Sequence, residues 1–494
     1  MRKDFFKKAA ALLICFMMLL FAVGCAPQPS NPDDGNTPPP SGGGDVTPPD
    51  DKPPVEEELL LTFGVFADTQ VPALGAKVGP SLLNAAENLE TGLTYFKERG
   101  IETLILNGDI IDYVNYGSGS SVAVGAAYKH MNSIMDKVWG ENRIYKPLNF
   151  MYTLGNHEYY YDYSASEALR QWNLAGYEMN QTFTVNDFSF ISIDMKDNGG
   201  SVSGDTKMLV EERLAAAKAV DPNRPIFLFY HIPPADTVLN TDWTTPADAW
   251  IKGLLSQYPQ AVLFTAHTHF SVRHPRQIDQ TIATVVNGGA GTYVCVPDTD
   301  ASGRAYDNAD DNVPMNGDIA DDTAALGGAK GFNDSCGALV VNVYTAHVEI
   351  ERVDCHTGEK IAEDWSFPYV KSASDFVYGS AYKDKLAVPQ ISAESCTARW
   401  NPDQPRRVQL AFAPAADTGE NVVDAYRLEI YCENAKIADK NYLSDYWNNT
   451  DGNLNYDMIL PKEYKGKALT IKVQAIDAFG RLSNQIEISV PAAA

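Results

Sequence analysis

Between Leu59 and about Ala290, short apolar runs alternate with amphipathic stretches, and few folds accommodate that rhythm. Leu59–Phe66, Thr103–Leu106, Phe150–Leu154, Phe188–Ile193, Pro225–Tyr230 and Ala261–Thr265 read as strands, short and continuously apolar as strands buried on both faces are. Ser81–Arg99, Val122–Trp139, Ser164–Trp172, Asp205–Val220 and Ala247–Ser256 read as helices. In the first of these Leu82, Leu83, Ala86, Leu89, Leu93 and Phe96 recur at helical spacing and Gly100 stops the helix. Strands separated by helices predict an α/β architecture, layered so that both faces of the sheet are covered. Residues 338–353 (ALVVNVYTAHVEIERV) read as an edge hairpin completing that sheet.

Beyond about residue 386 the period changes to two. Val408–Ala413, Tyr426–Cys432, Leu454–Leu460, Leu469–Ala475 and Ile486–Val490 alternate apolar and polar residues, with turn residues between them. About a hundred residues of this kind predict a small all-β sandwich. The stretch LPKEYKGKALTIKVQAIDAFGRLSN resembles the later strands of a fibronectin type III domain.

The first 24 residues are of another type. Arg2, Lys3, Lys7 and Lys8 precede an apolar run from Ala9 to Gly24, too short for a membrane span and shaped like an export signal. The run ends Ala22-Val23-Gly24-Cys25, which resembles the bacterial lipoprotein signal. The resemblance implies lipidation at Cys25 and anchoring at the extracytoplasmic face of a bacterial membrane. Residues 25–58 are rich in Pro, Gly and Asp without periodicity and read as a disordered linker. The predicted division is therefore signal 1–24, linker 25–58, α/β domain 59–370, linker 371–385 and sandwich 386–494.

The formal charge is −25, and −28 without the signal, whose first residues hold four basic groups and one acid. Half of that charge lies in the linker and in residues 298–322, each with eight acids and one base. The balance argues against nucleic acid as a partner. Apart from Cys15 and Cys25 there are five cysteines (Cys295, Cys336, Cys355, Cys396, Cys432), none in a C-x-x-C spacing, so thiolate zinc is not expected. An odd number leaves at least one thiol outside any internal disulfide, and the sequence does not assign pairs.

Chemistry-bearing residues collect where the predicted strands end. Asp68-Thr69-Gln70 follows the first, Asn107-Gly108-Asp109-Ile110-Ile111-Asp112 the second, and Gly155-Asn156-His157-Glu158 the third. Later strands lead into His231-Ile232-Pro233-Pro234 and Ala266-His267-Thr268-His269. Carboxyl ends of strands in an open α/β sheet share one edge, so these loops are expected to converge. One polar strand end is ordinary capping; five in this order are not.

The ordered set resembles the calcineurin-like metallophosphoesterase family, whose pattern is D-x-H, G-D-x-x-D, G-N-H-E, H and G-H-x-H, over about residues 59–290. The resemblance implies two divalent ions bridged by Asp109. Asp68, His269 and Gln70 would hold the first ion; Asn156, His231 and His267 the second. Mixed carboxylate, amide and imidazole donors suit Mn, Zn or Fe. A hydroxide between the ions would attack phosphorus in a small phosphorylated substrate, with His157 protonating the leaving oxygen. His157 could instead only orient a ligand. Asp112 and Glu158 are expected behind the ligands, holding imidazole tautomers.

Two positions depart from the pattern. Ala266 stands for a Gly, and Gln70 stands where the family has His, so Gln70 is either a weakly donating ligand or a turn residue. Purple acid phosphatases, a branch of the superfamily, place Tyr where Asp112 stands, and Tyr113 is one position off. If Gln70 marks a lost ligand, the alternative is a surface-binding lipoprotein with a degenerate, non-catalytic domain. Tyr159, Tyr160, Tyr161 and Tyr163 could stack on substrate or simply pack. Arg273 and His274 could meet a phosphate or lie in a solvated loop. Asp298-Thr299-Asp300-Ala301-Ser302-Gly303 resembles the start of a calcium loop but lacks Glu at the twelfth position, where Ala309 stands, and the 298–322 segment could instead be a lid.

Overall fold

A computed structural model describes residues 57–112, 121–159, 165–239, 248–295, 299–305, 335–394, 396–416, 418–444 and 454–493. The signal, Cys25, nearly all of the first linker, Tyr113, Tyr160, Tyr161, Tyr163 and most of 298–322 lie outside the described residues. From Glu57 onward the chain forms one compact unit.

Two six-stranded sheets lie face to face. The first has the order β12-β11-β10-β1-β2-β3. Its strands are β1 (Leu59–Phe66), β2 (Thr103–Asn107), β3 (Asn149–Thr153), β10 (Gly337–Tyr344), β11 (His347–Asp354) and β12 (Glu359–Pro368). The second, β4-β5-β6-β7-β9-β8, comprises β4 (Thr182–Val185), β5 (Phe188–Ser192), β6 (Ile226–Phe229), β7 (Ala261–Thr265), β8 (Ile278–Asp279) and β9 (Thr284–Asn287). β1, β2 and β3 are parallel, as are β5, β6, β7 and β9. The helices are α1 (Ala85–Glu98), α2 (Ser121–Trp139), α3 (Ala165–Leu174), α4 (Gly204–Val220) and α5 (Asp248–Leu255).

The apolar run of β1 serves two interiors at once. Leu61, Phe63 and Val65 point between the sheets, where the Phe63 ring lies 4.8–6.4 Å from Phe190, Phe227, Phe229 and Phe264. Phe66 and Gly64 face α1 instead: a Cβ on Gly64 would stand 2.5 Å from the Phe96 ring. Gly64→Ala is therefore expected to cost about 1–3 kcal/mol through overpacking, read as a lower denaturant midpoint with unchanged slope.

Residues 338–353 form a hairpin, but not the edge of the sheet. β10 pairs with β1, and β12 takes the edge beyond β11. β12 escaped the sequence reading because only Trp365 and Phe367 of its ten residues are buried. β4, whose residues are half-buried or exposed, escaped for the same reason.

The C-terminal region is all antiparallel, with sheets β13-β14-β17 and β16-β15-β18-β19. These strands are β13 (Thr397–Trp400), β14 (Arg407–Phe412), β15 (Val423–Cys432), β16 (Ala435–Leu443), β17 (Leu454–Ile459), β18 (Leu469–Asp477) and β19 (Ile486–Val490). Val408, Leu410 and Phe412 meet Leu428, Ile430, Ile471 and Val473 in its core. Five strands match the alternating runs; β13 and β16 are additional, with polar and apolar residues mixed.

Candidate metal centre

The loops after β1 and β2 run side by side. Asp68 N donates to Gly108 O, Gln70 N to Asp109 O and Val71 N to Ile110 O. Five residues in these and the post-β7 loop hold left-handed backbone: Asp68, Gln70, Asp109, His267 and His269, with φ between 49° and 74°. Non-glycine residues in that region cost about 1–3 kcal/mol each and gather at functional sites. Glycine is needed at 108, where φ is 83° and a Cβ would stand 2.5 Å from His231 Nδ1.

The loops bring the side chains together from both sheets. Asp109 Oδ2 lies 3.1 Å from His231 Nε2 and 3.8 Å from His157 Nε2. Asp68 Oδ1 lies 3.4 Å from His269 Nε2 and 3.7 Å from His231 Nε2. Donor atoms of Asp109, His231 and His267 all fall within 4.8 Å of one another. Asn156 and Gln70 are both buried; the Gln70 amide nitrogen stands 3.1 Å from His157 Nε2 and 3.3 Å from His269 Nε2. Its side chain is thus inside the site and not on a turn surface.

Backbone carbonyls fix two tautomers. His231 Nδ1 donates to Asn107 O (2.9 Å) and His269 Nδ1 to Tyr293 O (3.2 Å), so each ring turns its Nε2 toward the carboxylates. Asp112 Oδ2 lies 3.2 Å from His157 Nδ1. Glu158, in contrast, touches no imidazole in this way. It accepts from the backbone N–H groups of Asp109, Ile110, Ile111 and Gly155 and from the Tyr152 hydroxyl, so it locks the Asp109 loop to the third strand end.

Burial and the crowding of carboxylates and imidazoles set the electrostatics of the donor set. Burial pushes Asp68 up to about 8 against the pull of His231. Burial opposes charge on Asp109 too, but His231 and His157 outweigh it and hold the carboxyl below its usual range. Burial alone would lower His231 and His157; Asp109 with Asp68 lifts the first to about 10, and Asp109 with Asp112 lifts the second to about 9. His269 falls to about 3 and His267 well below its ordinary value, both through burial. Asp68 Oδ1 and Asn156 Oδ1 are buried and make no hydrogen bond among the described residues. Buried acceptors are ordinarily satisfied, and an oxygen and imidazole set with orphaned oxygens fits hard or borderline divalent ions.

Other candidates fall outside the site. Tyr159 is buried with its hydroxyl on Met195 O. His274 is fully buried and so not in a solvated loop; Arg273 is half-buried, with its carbonyl 3.4 Å from the buried Arg352 guanidinium. Asp300 Oδ1 accepts from Ser302 N, Ser302 Oγ and Arg304 N, closing its own turn; Asp298 lies outside the described residues.

Several contributing residues carry no motif. Asn107 receives His231 and also donates to Phe264 O, tying the sheets together. The Tyr293 ring stacks on His269 at 4.1 Å. The run Asn287-Gly288-Gly289-Ala290-Gly291 after β9 was the available signal. Gly291 N donates to Ala67 O, and a Cβ there would stand 2.6 Å from Thr69.

Residues 61–271 match the calcineurin-like phosphoesterase family. No curated protein matches the chain. Among solved structures, similarity is found to a dimetal phosphatase from Danio rerio (TM-score 0.42, 13% identity, covering 63% of this chain and 100% of the other). A purple acid phosphatase from yellow lupin seeds gives TM-score 0.38 and 11% identity over 62% of this chain and 53% of the other. A 5′-nucleotidase precursor from Thermus thermophilus gives TM-score 0.29 and 11% identity over 87% and 89%.

Proposed function

We propose that this chain is a metal-dependent phosphoester hydrolase, acting on a small phosphorylated substrate. The observation that carries the reading is the convergence of Asp68, Asp109, Asn156, His231, His267 and His269 at buried strand ends, with two orphaned oxygens, inside the segment that matches the phosphoesterase family. In this reading Asp109 would be shared by the two ions, Asp68, Gln70 and His269 would hold one, and Asn156, His231 and His267 would hold the other. Two bound Mn, Zn or Fe ions would supply an acidified water and neutralise charge on the phosphoryl oxygens.

The chain's own groups do the rest. The Asn107 and Tyr293 carbonyls orient the His231 and His269 rings, so that Nε2 is the nitrogen that would meet an ion. His157 has its Nδ1 beside Asp112 and its Nε2 toward the carboxylates, and it holds its proton near neutrality, as a general acid must. Glu158 keeps the Asp109 and Asn156 loops in register.

The test is hydrolysis of aryl phosphate mono- and diesters by protein reconstituted with each ion in turn. Metal-dependent turnover is expected. Two bound ions without turnover on either ester class would favour the degenerate binding module. Gln70→His is expected to tighten zinc binding, measured by competition with a chromophoric chelator; unchanged affinity would mean that residue 70 does not reach the ion.

The same reading places the chain at the cell surface, lipidated on Cys25, on the strength of the basic start, the apolar run and Ala22-Val23-Gly24-Cys25. Cys25→Ser should then shift the protein from the detergent to the aqueous phase. The three-plus-four antiparallel strand arrangement supports a fibronectin type III-like module at 386–494 behind a catalytic region ending near 370.

A further inference from the structure

The loop that carries His267 and His269 does not end at the site. Three residues beyond His269 it meets Arg352 of β11, whose side chain is fully buried. The guanidinium donates to Val272 O at 3.1 Å and to Glu363 O of the edge strand, and it stacks on Trp365 at 4.3 Å. Its carboxylate partner comes from the C-terminal sandwich: Glu420 Oε1 lies 3.4 Å away, with Glu420 Oε2 held by the Tyr382 hydroxyl at 2.7 Å.

A second tie lies beside the first. Asp424, at the start of β15 and 2% exposed, has Oδ1 4.0 Å from His274 Nε2 and Oδ2 accepting from Ala301 N at 2.8 Å. Residues 418–424 of the sandwich thus grip the segment leaving the metal site. A sandwich serving only as a spacer would need no buried arginine and no buried aspartate at that junction.

We propose that Arg352 and Glu420 are positioning residues: the sandwich loop 418–424 sets the placement of His267 and His269, and through them the affinity for divalent ions. The proposal rests on the metal-site reading above. Removing Glu420 leaves a buried guanidinium without its charge partner, which is strongly unfavourable. Arg352 then shifts toward solvent, and the backbone carbonyl it holds at Val272 is released. Side chains behind metal ligands commonly alter ion affinity by 10–100-fold.

The experiment compares the full chain with Glu420→Ala, Arg352→Lys and a control, Ile488→Ala, which thins the sandwich core away from the loop. Mn²⁺ and Zn²⁺ affinities are titrated against a chelator, and amide exchange over 267–274 is followed in metal-free protein. Glu420→Ala and Arg352→Lys are expected to weaken ion binding about tenfold and to speed exchange in that segment, with turnover recovered at saturating metal. Ile488→Ala is expected to lower the melting temperature without changing ion affinity. Wild-type affinity and exchange in Glu420→Ala, or an equal loss of affinity in Ile488→Ala, would overturn the proposal. If the wild-type protein bound no ion, the metal-site reading would fall, while exchange over 267–274 would still decide the latch.

Discussion

Replacing His157 by Ala is expected to lower kcat by about 10²–10⁴, the usual worth of a positioned general acid, and to leave metal content unchanged. His157 is held through its backbone N–H on Asp109 Oδ1 (2.7 Å) and through Asp112, so its side chain can be removed without dismantling the ligands. The same geometry predicts a pH signature. Asp109 and Asp112 raise the His157 pKa, so the acid form persists above neutrality and loss of its proton should appear as an alkaline limb. Asp112→Asn removes one of the two charges, and the alkaline limb should move to lower pH. Loss of metal from His157→Ala, measured by elemental analysis, would make His157 a ligand; an unmoved limb in Asp112→Asn would place the titration elsewhere.

Asp109→Asn is expected to bring hydrolysis down to the uncatalysed background, with less than one ion retained. Asp109 is the carboxylate in the only three-donor cluster among the described residues, and it also faces His157. Asparagine keeps an oxygen for the His157 N–H but loses the negative charge that a bridging position needs. Folding should survive, since Glu158 still locks residues 109–111 through their backbone. Two retained ions with near-normal turnover would show that the ions are not bridged at this position.

The α/β core and five of the seven sandwich strands were legible because burial on both faces writes long apolar runs into the sequence. Phe63 and Phe66, one facing each interior, are the clearest case. β12 and β16 were not legible: half of β12 is exposed, and only the last three residues of β16 are buried, after a hairpin turn in which Glu433 and Asn434 take left-handed backbone without the usual glycine. The candidate ligands were visible as side chains of special chemistry at strand ends. What could not be read for Glu158 was its partners, which are backbone N–H groups that no sequence pattern displays. Asn107 and Tyr293 were missed because each acts through a carbonyl. Arg352 and Glu420 are 68 positions apart and meet only after both regions have folded.

The two sheets contribute separately to the site: Asp68, Gln70, Asp109 and Asn156 follow strands of one, and His231, His267 and His269 follow strands of the other. An ion seated between them would act as a rivet across the sandwich, and the free energy of seating it would add to that of keeping the sheets closed. At a hundredfold excess over the dissociation constant this amounts to about 2.7 kcal/mol per site. The molecule's resistance to unfolding would then follow the trace-metal content of its surroundings, so that starvation for the ion loosens the scaffold as well as the chemistry.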